Sequence, residues 1–238
     1  MRTVLITGGS RGIGAAMVRL FSKNGYKVAF TYKNSHEQAR LVSEESGALA
    51  IQADSASESD IANAIDKVEK TLGNIEILIN NAAVSSFSLI TDVSADEWRN
   101  MFSINVDAAF LYSKYTLPSM IRNGFGRIIN VTSMWGIVGS SCEVCYSSTK
   151  AALIGFTKAL AKEVGPSKIT VNAIAPGLID TEMNASLSSD DKAAIADETP
   201  LMRMGRADEI AEAAYFLASD SAAFITGDVM NVSGGFVV

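Results

Sequence analysis

Residues 3–21, TVLITGGSRGIGAAMVRLF, pass from a short, largely apolar run through a glycine-rich turn directly into an amphipathic stretch. Few folds accept that order. An apolar run of this length reads as a strand buried on both faces, and the following apolar periodicity reads as a helix. Gly8, Gly12 and Gly14, with Gly9 beside them, supply the tight turn and the close backbone approach that an anionic ligand at a helix N-terminus requires.

The same alternation continues along the chain. Strands are expected over 3–7, 27–31, 48–52, 76–80, 127–133, 169–175 and 228–232. Helical periodicity lies between them, at 12–24, 36–46, 57–72, 94–122, 146–164 and 207–218. Ser57 with Asp60, and Ser94 with Glu97, mark helix starts. Strand and helix alternating at this pitch predict right-handed βαβ crossovers. The expected fold is therefore α/β: a single-domain Rossmann-type doubly wound parallel sheet of about seven strands over residues 1–238, with helices on both faces. The one long interruption, 176–206, contains Pro176-Gly177, Pro200 and a polar helix-like piece at 187–197, and a segment of that length is expected to serve function.

Composition narrows the classes. With 48% hydrophobic and 19% charged residues the chain reads as globular, and a net charge of −6 argues against a nucleic-acid partner. No apolar run approaches the ~18 residues of a membrane span, and the first ten residues lack the form of a signal peptide, so a cytoplasmic protein is expected. Two cysteines make no disulfide framework, and His36 as the sole histidine leaves no metal site and no Ser–His–Asp triad. Cys142 and Cys145 have C-x-x-C spacing, which reads as coincidence in a substrate-loop segment.

A dinucleotide bound at the glycine turn would meet the end of the second strand, where an acidic residue holds a ribose 2′-hydroxyl in NAD-dependent proteins. Here the sequence is Thr31-Tyr32-Lys33-Asn34, without an acid, while Arg11 and Lys33 are placed to meet a 2′-phosphate. NADP(H) is the expected cofactor.

TGGSRGIG at 7–14, NNAA at 80–83, Asn105, Ser133, YSSTK at 146–150 and APG at 175–177, in this order, resemble the short-chain dehydrogenase/reductase family over essentially the whole chain. GRIINVTS, ITVNAIAPGLIDTEM and FLASDSAAFITGDVMNVSGG further resemble its 3-oxoacyl-[acyl-carrier-protein] reductases of fatty-acid synthesis. The resemblance implies a catalytic set of Asn105, Ser133, Tyr146 and Lys150. Tyr146 would be the general acid in reduction and the general base in oxidation. Lys150 stands one helical turn away; an adjacent cation favours phenolate, so it is expected to lower the phenol from its ordinary value near 10. The family also uses this lysine on the nicotinamide ribose. Ser133 would hold the carbonyl oxygen, and Asn105 would hold a water in a relay to the lysine.

Cofactor contacts implied by position are Gly8, Ser10, Arg11, Gly12, Ile13 and Gly14 in the turn, with Lys33 after the second strand. Asp54 and Ser55 follow the third strand, Asn81 and Ala82 lie on the adenosine side, and Tyr146, Lys150, Pro176, Gly177, Ile179 and Thr181 lie toward the nicotinamide. Ala83 stands where the family has glycine, and tolerance of its methyl is expected. The family implies a homotetramer, with helices 94–122 and 146–164 and the terminal GGFVV as contact faces. Arg127 matches a basic position of carrier-dependent reductases and is expected to dock an acidic acyl carrier protein near the pocket mouth. Two rivals are a reductase or dehydrogenase of a free alcohol, sugar or steroid, and a catalytically silent nucleotide-binding scaffold.

Overall fold

Strands with apolar residues on both faces settle where both faces are covered, and this chain places seven strands in one sheet. In the computed structural model, which describes residues 1–184 and 188–237, the strands are β1 (Thr3–Ile6), β2 (Lys27–Tyr32), β3 (Leu49–Gln52), β4 (Ile77–Asn80), β5 (Gly126–Val131), β6 (Ile169–Pro176) and β7 (Val229–Val232). All pairs are parallel, in the order β3-β2-β1-β4-β5-β6-β7. β1 is central to the topology: Leu5 faces Ala29 on one neighbour and Leu78 on the other.

Alternate side chains feed two cores. Val4 and Ile6 pack on one face with α1 (Gly12–Lys23), α2 (His36–Ser46) and α9 (Ala207–Ala218), and Leu5 packs on the other with α3 (Glu58–Leu72), α5 (Ala108–Asn123) and α7 (Val144–Val164). The Ser57 cap accepts from the Asp60 N–H, and Ser94 with Glu97 forms a capping box on α4 (Ala95–Phe102). Between β6 and α9 lie a 3-10 turn at Glu182–Asn184 and α8 (Ser189–Glu198), itself capped by Ser188 with Asp191. Residues 185–187 of that excursion, and Val238 of GGFVV, lie outside the described residues.

Two elements depart from expectation. A four-residue helix, α6 (Trp135–Val138), follows β5. The single helix expected over 94–122 is interrupted by a π-helical turn at Ser103–Asp107, which separates α4 from α5 and holds the buried Asn105. Such turns occur where a side chain must be presented to a site. Among the described residues no helix is long and apolar enough to cross a membrane.

Candidate active site

Parallel strands end together, and the crevice opens where neighbouring crossovers leave to opposite faces. Here that point lies between β1 and β4, and a cleft of about 570 Å³ runs over the carboxyl ends of β1, β2, β4, β5 and β6. Every residue expected to contact a cofactor lines this cleft, as do Ser133, Tyr146 and Lys150; Asn105 does not.

The glycine turn forms the first wall. Gly8 has φ +68°, and a methyl there would stand 2.9 Å from the Ala82 Cα. At Gly14 an added methyl would meet the Gly8 carbonyl oxygen at 2.1 Å, so α1 approaches the turn as closely as a backbone can. No side chain caps α1 and no acid occupies its first turn, which leaves its N–H groups and positive dipole end facing the cleft. This cradle fits a pyrophosphate.

Behind the turn, one threonine joins two strand ends. The Thr7 hydroxyl accepts from the N–H groups of Asn81 and Ala82, each at 2.9 Å. The Asn81 amide donates to the carbonyls of Thr7 and Gly8 at 2.9 and 3.1 Å. Asn81 thus holds the turn as well as lining the cleft. Ala83 is half-buried in the same wall.

At the far end, Lys33 and Asp54 form an ion pair at 2.7 Å. Burial works to raise the Asp54 carboxyl, but hydrogen bonds from Lys33 and the Ala56 N–H outweigh it and hold the group below its ordinary value. Arg11 is exposed beside Gly12. The two cations expected at a 2′-phosphate therefore line one cleft.

The opposite wall carries the polar group. Ser133 lies two residues past β5, and its hydroxyl accepts from the Trp135 N–H at 3.2 Å. Tyr146 and Lys150 occupy the first turns of α7. Lys150 is 2% exposed, donates to the Val131 carbonyl at 2.9 Å, and holds its ammonium 5.5 Å from the centre of the Tyr146 ring. Asn105 is buried behind them: it accepts from the Val84 N–H and donates to the Val84 carbonyl and the Thr149 hydroxyl, at 2.9, 2.9 and 3.0 Å. Thr149 in turn donates to the Tyr146 carbonyl at 2.7 Å.

The electrostatics correct one expectation. Burial pushes the Tyr146 phenol up to about 12, against the Ser133 hydroxyl beside it, which pulls down, and with Glu143 adding to the rise. Burial also brings Lys150 down to about 7. Desolvation, which penalises each charged form, outweighs the attraction expected from the i, i+4 spacing.

Arg127 is the second correction. It sits at the amino end of β5, opposite Ile77, whereas Ser133 lies past the carboxyl end. Its side chain is 5% exposed, with the guanidinium 4.4 Å from the centre of the Phe125 ring, near Arg2 and Asp220. A buried arginine at the far end of the sheet does not reach the mouth of this cleft.

The cleft also contains residues the sequence reading passed over: Trp135 and Glu143, and behind the wall Thr7 and Thr149. A TG dipeptide ending the first strand could have pointed to Thr7. Cys142 is half-buried and Cys145 buried, as free thiols. Among the described residues no group of three or more His, Cys, Asp or Glu could hold a metal ion.

A family model described as enoyl-(acyl carrier protein) reductase matches residues 8–237. The 3-oxoacyl-[acyl-carrier-protein] reductase of Aquifex aeolicus is 38% identical over 237 residues, covering 97% of this chain and 95% of the relative. Among solved structures, a double mutant of a Serratia marcescens short-chain dehydrogenase/reductase has a TM-score of 0.94 at 34% identity, covering 100% of this chain and 98% of the other. A blue fluorescent protein from a metagenomic library, solved in complex with NADPH, gives the same score, identity and coverage.

Proposed function

The chain belongs to the short-chain dehydrogenase/reductase family, and from that premise we propose that it reduces a 3-oxoacyl thioester, carried on acyl carrier protein, to the 3-hydroxyacyl thioester with NADPH. An NADP-dependent oxidoreductase is what the family and the NADPH-bound structural relative support. The observation that carries the reading is the meeting of Ser133, Tyr146 and Lys150 on one wall of a cleft whose other wall is the glycine turn. When bound, NADPH supplies the hydride.

The chain's own residues do the rest. The turn from Gly8 to Gly14 and the α1 N-terminus hold the pyrophosphate; Arg11 and Lys33 hold the 2′-phosphate. Asp54, Ser55, Asn81 and Ala82 form the adenosine side, and Pro176, Gly177, Ile179 and Thr181 bound the nicotinamide side. Ser133 donates to the carbonyl oxygen as negative charge develops there. Tyr146 gives its proton to the same oxygen. The phenol's rise to about 12 keeps it protonated at neutral pH, which suits a proton donor in reduction. Lys150, near 7, can take up or release a proton in the working range and so replenish the phenol. Asn105 fixes Val84 and Thr149, and through them the position of Tyr146.

The relatives' carrier-bound substrate supports the thioester assignment. A second reading, reduction of a free alcohol-, sugar- or steroid-type carbonyl, gains support from Arg127, because the basic residue expected to dock a carrier protein is buried away from the cleft. A homotetramer in the cytoplasm completes the proposal; Phe110 and Ile121, 48% and 49% exposed on α5, are candidate contact residues.

The test compares acetoacetyl thioesters, free and carrier-bound, with a panel of ketones, using NADPH and NADH. Preferred turnover of the carrier-bound thioester with NADPH is expected. Preference for a free ketone would replace the first reading by the second, and absence of turnover with every substrate would leave a nucleotide-binding scaffold.

A further inference from the structure

Three residues before Tyr146, the chain carries an acid that the roles above leave unused. Glu143 is the N-cap of α7 by its backbone, which accepts from the Ser147 N–H at 2.8 Å, but its side chain makes no capping bond. Glu143 is one of the residues lining the cleft, with Ser133, Trp135 and Tyr146. Its Oε2 is shut off from solvent and has no hydrogen-bond partner in the chain. No cation compensates it: Glu143 forms no salt bridge among the described residues, and the Lys150 ammonium is committed to the Val131 carbonyl. Burial raises the carboxyl, and its proximity contributes to raising the phenol.

A carboxylate oxygen withdrawn from water without a donor costs about 1–3 kcal/mol. Folded proteins seldom retain such a group unless something else supplies the donor. Glu143 lines the cleft, so a bound molecule can supply it once the carboxyl swings outward into that space. The position, one turn ahead of the phenol and beside Ser133, is on the side of the reacting carbonyl and away from the Lys33 end. An acceptor here also repels a second carbonyl oxygen, which orients a dicarbonyl substrate.

Resting on the carbonyl reduction proposed above, we infer that Glu143 is a specificity-determining residue that accepts a hydrogen bond from an N–H or O–H carried by the substrate beyond its reacting carbonyl. The donor has two possible sources, the amide N–H of a thioester arm and the hydroxyl of a free hydroxyketone. The chemistry recognised is the same in both.

Substrate pairs differing only in the donor test this. S-acetoacetyl-N-acetylcysteamine is compared with its N-methyl amide, and 4-hydroxy-2-butanone with 4-methoxy-2-butanone. The readout is the ratio of kcat/KM within each pair for the wild type, Glu143→Leu and Glu143→Gln. Calorimetric binding with NADP⁺ present gives the same ratio whether or not turnover occurs, so failure of the reaction assignment is seen separately. The wild type should favour the donor-bearing member of one pair by about tenfold or more, and the pair identifies the source. Glu143→Leu should bring that ratio close to one. Glu143→Gln keeps the shape and one acceptor oxygen but loses the charge-assisted bond, and should cut the ratio by about threefold; it carries the test if the leucine variant does not fold. A wild type indifferent to the donor in both pairs, or a ratio preserved in the variants while both members lose turnover alike, overturns the inference.

Discussion

Replacing Asn105 by alanine tests whether the catalytic helix is held from behind. The amide makes three hydrogen bonds of 2.9–3.0 Å, two to the Val84 backbone and one to the Thr149 hydroxyl. Alanine removes all three and leaves their partners behind. Thr149 is fully buried and retains its own bond to the Tyr146 carbonyl, whereas Val84 is half-buried, so water can rescue part of what it loses. At about 1–3 kcal/mol for a fully buried orphan and less for a wet one, the loss comes to about 2–4 kcal/mol. Urea unfolding measures it as a shift in midpoint at constant slope. Activity should fall further than stability explains, because Val84 and Ala82 line the cleft and Thr149 holds the Tyr146 carbonyl from behind the other wall. Asn105→Asp sharpens the comparison. It can still accept from the Val84 N–H, but it directs an anion at the Val84 carbonyl and can no longer donate to Thr149, so it should be as destabilised as the alanine variant or more. A loss under about 1 kcal/mol in both variants, with turnover intact, would refute the bracing role.

Tyr146→Phe should lower kcat by about a hundred- to ten-thousandfold while NADPH affinity, read by fluorescence titration, stays within a few-fold. Lys150→Met should raise the melting temperature most below pH 7. There the lysine is charged in both folded and unfolded states, and burying it costs on the order of a few kcal/mol. Between about 7 and its ordinary value of 10.5 only the unfolded chain binds the proton, so the wild type gains stability as pH rises and the gap should close. A gap that does not change with pH would mean the lysine is not held near 7. Changing Lys33 and Arg11 together to alanine should raise the KM for NADPH by about tenfold or more and leave that for NADH almost unchanged; equal effects on both would separate these cations from the 2′-phosphate.

The sheet was legible because burial on both faces leaves runs such as TVLI and ILIN with no other reading, and all seven strands lie within a residue or two of their expected bounds. The cleft was legible for a related reason: glycines and a Tyr-x-x-x-Lys helix start carry their geometry in their spacing. Depth was not. Tyr146 and Lys150 read as a pair in which the cation lowers the phenol, but the sequence does not say how much water each loses, and desolvation decides the direction of both. Arg127 matched a docking position by resemblance, and its burial depends on Arg2 and Asp220, which lie far from it in sequence. α6 is too short to show a period. Glu143 received no role, because nothing local tells a capping side chain from one at a cleft.

The π-helical turn at Ser103–Asp107 makes the site depend on counting as well as on chemistry. An α-helix advances about 100° per residue, and a π turn takes in one residue more than its neighbours. The residue numbering of α4 and α5 is therefore one step out of phase along a continuous rod. Deleting Ser103 from this turn would let the rod close as plain α-helix, with no charge and no apolar side chain lost. The two helices would keep their facing, because the extra residue of a π turn adds no rotation, but the widened turn that presents Asn105 to Val84 and Thr149 would be lost. No later substitution could undo that, since a side chain can be exchanged in place but a missing step cannot.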